Sequence, residues 1–251
     1  MHWIYLSPHF DDAIYSCGAA IWQQTRAGDT VEIWTICAGD PPDEQPLTPF
    51  ASLLHARWGL NEQVVAARRA EDAAACDLVG ASTRRFDIPD CIYRYNPHTG
   101  QPVVKDEEGL WSEDPHPEPW LVKSLCQRLA RDLHPTAQVA TPLAIGNHTD
   151  HRLVRQAAEA LGRLLWYYAD VPYAMRSPDA GVFYAAAGQV TPQVLTAQAL
   201  VVWQQAGAAY TSQLSTFWAD RGELDAAFAQ FAAQGGGRLL QPAGGEAYPT
   251  A

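Results

Sequence analysis

Trp3-Ile4-Tyr5-Leu6-Ser7-Pro8-His9-Phe10-Asp11-Asp12-Ala13-Ile14 begins as an apolar run, passes through a polar cluster and enters a helical segment. Trp3 to Leu6 reads as a short strand, and Ala13 to Arg26 as a helix ended by Ala27-Gly28-Asp29. Val31 to Cys37 is a second strand, closed by Ala38-Gly39-Asp40-Pro41-Pro42. A β-α-β start of this kind founds a doubly wound sheet, in which ligands sit beyond the carboxyl ends of the strands. The polar cluster lies at that end.

The alternation continues downstream. Asn61 to Val79 reads as a helix, stopped by Gly80 as a C′ glycine. Arg84 to Ile88 is a short strand and Pro119 to Leu133 a helix. Gln138 to Pro142 is a strand leading to Asn147-His148-Thr149-Asp150-His151. His151 to Leu161 is helical and Leu164 to Tyr168 a strand. A last strand is expected near Val182 to Val190, with helices over Thr196 to Gln213 and Gly222 to Ala233, before a Gly/Pro/Ala-rich tail. The pattern predicts an α/β fold on a doubly wound, mostly parallel sheet with helices on both faces. The 251 residues, 47% of them hydrophobic, suffice for one domain over 1–251. Two proline-rich stretches, 41–60 and 89–118, read as irregular insertions. Their aromatics, among them Trp58, Tyr93, Tyr95 and Trp111, suit a lid, a substrate-facing surface or an interface, so a homo-oligomer stays open.

Charge narrows the partners. A net charge of −11 repels phosphate backbones and argues against nucleic acid and anionic membranes. No apolar run approaches the roughly 18 residues of a membrane span. The first residues lack the basic and apolar regions of a signal peptide. A cytoplasmic protein with no membrane span is expected. Cys17, Cys37, Cys76, Cys91 and Cys126 are odd in number and lack C-x-x-C spacing, so they read as small buried residues in a reducing compartment. The first βα loop has no G-x-G-x-x-G, and no G-x-S-x-G occurs, which disfavours a phosphate cradle and a serine nucleophile.

The two polar clusters carry the chemistry. Catalytic zinc takes three protein ligands from His and carboxylates and keeps one position open. His9 and Asp12, three apart on a loop and the first helical turn, can converge on one ion while Asp11 points elsewhere. A carboxylate beside such an ion, but not bound to it, can serve as general base. His151 would be the third ligand, from a neighbouring strand end. His148 is a fourth ligand or a donor to a developing oxyanion, and Asp150 is placed to orient a histidine. Either Asp could instead be a helix cap, and His-x-x-His could be two exposed loop residues. Both clusters falling at strand ends of one sheet favours the metal.

The first cluster, Ser7-Pro8-His9-Phe10-Asp11-Asp12-Ala13-Ile14-Tyr15-Ser16-Cys17-Gly18, resembles the His-Pro-Asp-Asp motif of the PIG-L / LmbE-like zinc N-deacetylases. His148-Thr149-Asp150-His151 resembles that family's His-x-Asp-His. Arg68-Arg69-Ala70-Glu71 is similar to its Arg-x-x-Glu helix, and Tyr210-Thr211-Ser212-Gln213 to its Tyr-x-Ser-Gln ending. The resemblance implies a Rossmann-like sheet and one catalytic Zn2+, with Fe2+ an alternative, held by His9, Asp12 and His151. It implies hydrolysis of the N-acetyl group of an N-acetylglucosamine-type amino sugar or glycoside, a small-molecule substrate. Asp11 would be base and then acid. His148, protonated and held by Asp150, would face the oxyanion. Arg68 would contact the sugar, unless it is a helix-surface arginine paired with Glu71 or Asp72. Phe10 replaces the usual proline, Ala13 a frequent acidic residue, and Gly146 a tyrosine that some members carry. A different N-acyl substrate on the same site, and a non-catalytic zinc-containing binding protein, are the rival readings.

Overall fold

The apolar runs become the inner strands of one sheet. In a computed structural model, β1 (His2–Ser7), β2 (Thr30–Thr35), β3 (Ser82–Arg85), β4 (Gln138–Pro142), β5 (Trp166–Tyr168), β6 (Ala187–Val190) and β7 (Leu240–Pro242) form a seven-stranded sheet of order β3-β2-β1-β4-β5-β7-β6. The first five are parallel, and β7 and β6 close the far edge antiparallel. The structure describes residues 1–60, 63–111, 118–177, 187–190 (backbone only) and 194–242.

The helices are α1 (Asp12–Arg26), α2 (Pro49–Arg57), α3 (Val64–Val79), α4 (Pro119–Asp132), α5 (Thr149–Glu159), the single-turn α6 (Tyr173–Arg176), α7 (Ala197–Gly207), α8 (Thr211–Phe217) and α9 (Arg221–Ala233). α1 packs against α3 and α7, and α4 packs against α5. These two groups cover the faces of the expected α/β, Rossmann-like sheet. Tyr5, Leu6, Ile14, Ile33, Val139 and Trp203 are among the fully buried side chains between the layers. Among the described residues, no helix is long and apolar enough to cross a membrane.

Several boundaries differ from the sequence reading. The stretch 41–60 is not wholly irregular, because α2 lies within it. Thr48 Oγ1 accepts from Ala51 N–H at 3.0 Å and Pro49 takes the first helical position, a start signal that the neighbouring prolines obscured. The expected helix over Thr196 to Gln213 is two helices. The chain breaks around Tyr210, whose hydroxyl reaches the Phe10 carbonyl at 2.9 Å, a tertiary bond that local propensity does not encode. β3 begins two residues before the expected strand, and β7 falls in what read as the tail. The first part of the expected strand over 182–190 and residues 61–62 and 112–117 lie outside the described residues. Gly80 ends α3 at φ 75°, as a C′ glycine does.

The segment 89–111 is tied down by charge. Arg94, buried, donates to Glu118 at the head of α4, and its Nη2 lies 2.6 Å from Asp150 Oδ1 on α5. Its Nη1 donates to the Pro89 carbonyl at 2.8 Å. Arg94→Ala leaves two carboxylates buried without their cation and should cost about 3–5 kcal/mol in urea or thermal unfolding; a loss under 1 kcal/mol would show the network to be dispensable.

Candidate metal centre and catalytic pocket

β1 and β4 are neighbours in the sheet, and strand order reverses between them. Crossovers leave β1 and β4 in opposite directions, so a crevice opens at their carboxyl ends. The loop after β1 delivers His9, Asp11 and Asp12, and the loop after β4 delivers His148, Asp150 and His151. The first loop is locked locally. Ser7 Oγ donates to the His9 carbonyl at 2.6 Å and accepts from Ala13 N–H at 3.0 Å, while Asp12 Oδ2 accepts from His9 N–H at 2.7 Å. Asp11 stands at the N-cap position of α1, yet its side chain makes no capping bond. The cap reading of Asp11 is therefore excluded, and its carboxylate is free for other work. The second loop carries strain: Ala144 and Asn147 sit at φ 58° and 60°, a region that costs a non-glycine residue roughly 1–2 kcal/mol. Ile145 N–H is fixed on Asp170 Oδ2 at 3.0 Å.

Three donors converge. His9 Nδ1 lies 3.2 Å from Asp12 Oδ2, and His151 Nε2 lies 3.3 Å from Asp12 Oδ1. Two donors bound tetrahedrally at about 2.0–2.1 Å from one ion are ~3.3 Å apart. The spacing fits ligands of a shared metal. His151 Nε2 is buried without a hydrogen-bond partner, an orphan that a metal would satisfy. The far nitrogen of each ring is held by a carboxylate: His9 Nε2 by Asp150 Oδ2 at 2.9 Å, His151 Nδ1 by Asp170 Oδ1 at 2.6 Å. Carboxylate–histidine pairs of this kind orient metal-binding imidazoles. The residues present fit a divalent ion.

Electrostatics agree. Burial alone would lower both imidazoles, but Asp12 and Asp170 hold His151 up at about 9, and Asp90, Asp12 and Asp150 hold His9 up as well. Burial would raise Asp12 and Asp150, yet the histidines keep Asp12 well below the usual range, and Arg94 and His9 do the same for Asp150. The place favours positive charge. Asp11 differs: burial pushes it up, and Arg68, whose Nη2 donates to Oδ1 at 3.3 Å, only partly offsets this.

The ring nitrogens of His9, His148 and His151 that face one another lie within 4.8 Å. His148 Nδ1 accepts from Asp150 N–H at 3.2 Å, so the neutral ring carries its proton on Nε2. Burial and the neighbouring His9 and His151 hold its pKa well below the ordinary value. This corrects the expected protonated His148. It also corrects how Asp150 holds it: the backbone N–H reaches His148, whereas the carboxylate serves His9, the Cys91 N–H at 2.9 Å and Arg94.

Arg68 is buried and faces the pocket, not the helix surface. Its expected surface partners are taken: Glu71 bonds Thr211 and Ser212 on α8, and Asp72 bonds Arg85. Arg68 lies over the rings of Phe10 and Trp58, at 5.5 and 5.2 Å. The pocket holds about 300 Å³ and is lined by His9, Asp11, Asp12, Arg68 and His148 at one end, with Trp58, Trp111 and Phe217 among the other walls. Asp170, Asp90 and Tyr173 were not singled out from the sequence. Asp170 had a signal, a carboxylate just past a strand end; the other two depend on long-range packing. Tyr173 fills the space that Gly146 leaves open, since a Cβ there would come within 3.1 Å of it. His55 is buried against the Tyr93 hydroxyl at 2.6 Å; His98 and His134 are exposed, and His116 lies outside the described residues.

Residues 4–161 match the family model described as PIG-L, GlcNAc-PI de-N-acetylase. The chain belongs to this family. The PIG-L match spans both polar clusters and the Arg68–Glu71 helix. A 2′-N-acetylparomamine deacetylase of Niallia circulans is 30% identical over 186 residues, covering 68% of this chain and 66% of that protein. Among solved structures, the zinc-inhibited form of teicoplanin deacetylase Orf2 superposes with a TM-score of 0.82 at 26% identity, over 96% of this chain and 97% of the other. The A40926 pseudoaglycone deacetylase Dbv21 gives 0.73 at 30% identity, over 98% of each chain.

Two outcomes are expected of the metal centre. Asp170→Asn should weaken metal affinity about 10–100-fold in chelator competition; unchanged affinity would remove Asp170 from the site. With His151 raised from 6.5 to about 9, the metal-free protein holds a proton there at pH 7. Metal binding must displace it, and the stability it lends the metal-free protein fades as pH rises through about 9. Calorimetry in buffers of different ionisation enthalpy should read at least one proton released per metal, and none if the ring is already neutral.

Proposed function

We propose that this chain is a metal-dependent hydrolase that removes the acetyl group from an N-acetylglucosamine-type amino sugar or glycoside. One observation carries the reading: Asp11 is a buried carboxylate beside the ligand set, free of capping duty and pushed up toward proton exchange. A purely binding site gives such a group no task. The three relatives named above are deacetylases, which supports the same reaction class.

His9, Asp12 and His151 would hold the ion. Two imidazoles and one carboxylate suit Zn2+, and Fe2+ takes the same set. A divalent ion held there would supply a Lewis acid for the acetyl carbonyl and lower the pKa of water to about 7. Asp11 takes a proton from the attacking water and delivers it to the leaving amine. His148 donates from Nε2–H to the developing oxyanion; it does so as a neutral ring, since Nδ1 is occupied by Asp150 N–H. Asp150 and Asp170 fix the ligand imidazoles, and Arg68 aims Asp11 and faces the sugar.

The test separates binding from turnover. Asp11→Ala should keep its metal and lose deacetylation, whereas His151→Ala should lose both. His148→Ala should keep the metal and lose roughly 10²–10³ in kcat. Metal analysis beside acetate release on free, glycosidic and nucleotide-linked N-acetylglucosamine reads all three, and full activity in Asp11→Ala would overturn the assignment.

A further inference from the structure

The chain that leaves β5 serves the metal centre twice. Asp170, just past the strand, bonds His151 Nδ1 and the Ile145 N–H. Shortly after it comes Tyr173, the first residue of α6. Ala174 N–H bonds the Asp170 carbonyl at 2.7 Å, and Ser177 N–H bonds the Tyr173 carbonyl at 2.9 Å, so the turn between them is fixed. The side chain is seated on Gly146, where a Cβ would come within 3.1 Å of the Tyr173 Cβ and 3.2 Å of its Cγ. Its ring stands edge-on to His151 at 5.6 Å and to Trp111 at 5.2 Å. Trp111 in turn meets the His148 ring at 5.4 Å. Tyr173 therefore lines the pocket beside the same histidines that Asp150 and Asp170 set in place.

The hydroxyl at the end of that ring is uncommitted. Tyr5, Tyr93, Tyr168 and Tyr210 each hold a fixed partner with theirs, and that of Tyr15 is sealed in the core. Among the described residues the Tyr173 hydroxyl has no hydrogen-bond partner, and it is not sealed from the pocket that its ring lines. Other polar groups on the same side are occupied or closed off: Gln213 Nε2 donates to Ser212 Oγ at 3.0 Å, and Thr216 Oγ1 is sealed. An oxyanion takes more than one donor, and His148 Nε2–H supplies one. We propose that Tyr173 is a second: its hydroxyl donates to the acetyl carbonyl oxygen as the tetrahedral intermediate forms. The inference rests on the deacetylase reading and adds a catalytic residue to it. The phenol keeps its proton throughout. Water adds to the carbonyl carbon and gives one proton to Asp11, which passes it to the amide nitrogen. The C–N bond then breaks, the oxyanion electron pair restores the carbonyl, and acetic acid and the free amine leave. Tyr173 contributes a hydrogen bond that strengthens and relaxes as the charge comes and goes. A neutral phenol can do this at any pH below its ordinary pKa of about 10. Because the ring is already seated, the donor needs no reorganisation when the charge develops.

Tyr173→Phe removes the hydroxyl and keeps the ring on Gly146, so it is the variant to test on the metal-loaded protein. It should retain its metal and its KM for an N-acetylglucosamine glycoside and lose roughly 10²-fold in kcat. A methylphosphonamidate of the same amino sugar places a tetrahedral anion where the acetyl group sits. Calorimetry should show it binding about tenfold more weakly to Tyr173→Phe than to the wild type. An unchanged kcat, a loss carried wholly by KM, or equal phosphonamidate affinities would overturn the proposal while leaving the deacetylase reading intact. Loss of metal from Tyr173→Phe would mark the hydroxyl as structural and overturn it too. If the wild type releases no acetate from N-acetyl amino sugars, the deacetylase reading fails and the role of Tyr173 falls with it.

Discussion

Surplus buried negative charge is the constraint on which this structure depends. Asp11, Asp12, Asp90, Asp150 and Asp170 crowd around three imidazoles, while the nearby guanidiniums are Arg68 and Arg94, the second shared with Glu118. A carboxylate out of water is costly unless paired. Here the pairing is completed by protons on His9 and His151, or by a cation in their place. The same carboxylates that raise those imidazoles also orient them, so exchange of protons for a dication needs no rearrangement of the rings. Asp11 lies beside this arrangement, held by Arg68 and close enough to feel its field.

The fold makes the crowding tolerable by tying polar side chains to the backbone of the loops that carry it. β1 and β4 end side by side, and their crossovers part there. Ser7, Asp12 and the Asp150 N–H use short-range bonds to set each loop. Tyr168, from β5, donates its hydroxyl to the Leu6 carbonyl at 2.7 Å, and Val171 N–H reaches Ser16 Oγ at 3.1 Å. A third strand end is thereby stitched to the first, and with it comes Asp170. The positive φ at Ala144 and Asn147 is the cost of bringing the second loop under that stitching.

This division explains what could be read in advance. Strand-loop-helix units carry their own periodicity, so β1, β2, β4 and both polar clusters were legible, and with them the convergence of His9, Asp12 and His151. Residues whose role is to hold another residue were not. Asp170 acts on His151 across nineteen positions, and Arg94 joins Glu118 to Asp150 through the folded interior. Nothing in the sequence of 89–111 signals that this segment is pinned by one buried arginine. The break at Tyr210 is of the same sort, because a helix-like pattern continues through it while a distant carbonyl decides its conformation.

The two weakest motifs in the sequence turn out to be halves of one device. Glu71 on α3 accepts from Ser212 N–H at 2.8 Å and from both hydroxyls of Thr211 and Ser212, which satisfies the free start of α8. Arg68, one turn earlier, bears on Asp11, and Tyr210 reaches back to Phe10 beneath Arg68. A single face of α3 therefore fixes the Asp11 carboxylate and the helix that presents Gln213 and Phe217 to the pocket. Phe10 gains a role its proline counterpart would lack, since its ring backs the guanidinium. The Asp11 carboxylate and this pocket wall share their supports, so a change that shifts α8 also loosens Arg68 from Asp11. The placing of the Asp11 carboxylate and the shape of the wall that carries Phe217 are thus set together through α3, by Arg68 on one side and Glu71 on the other.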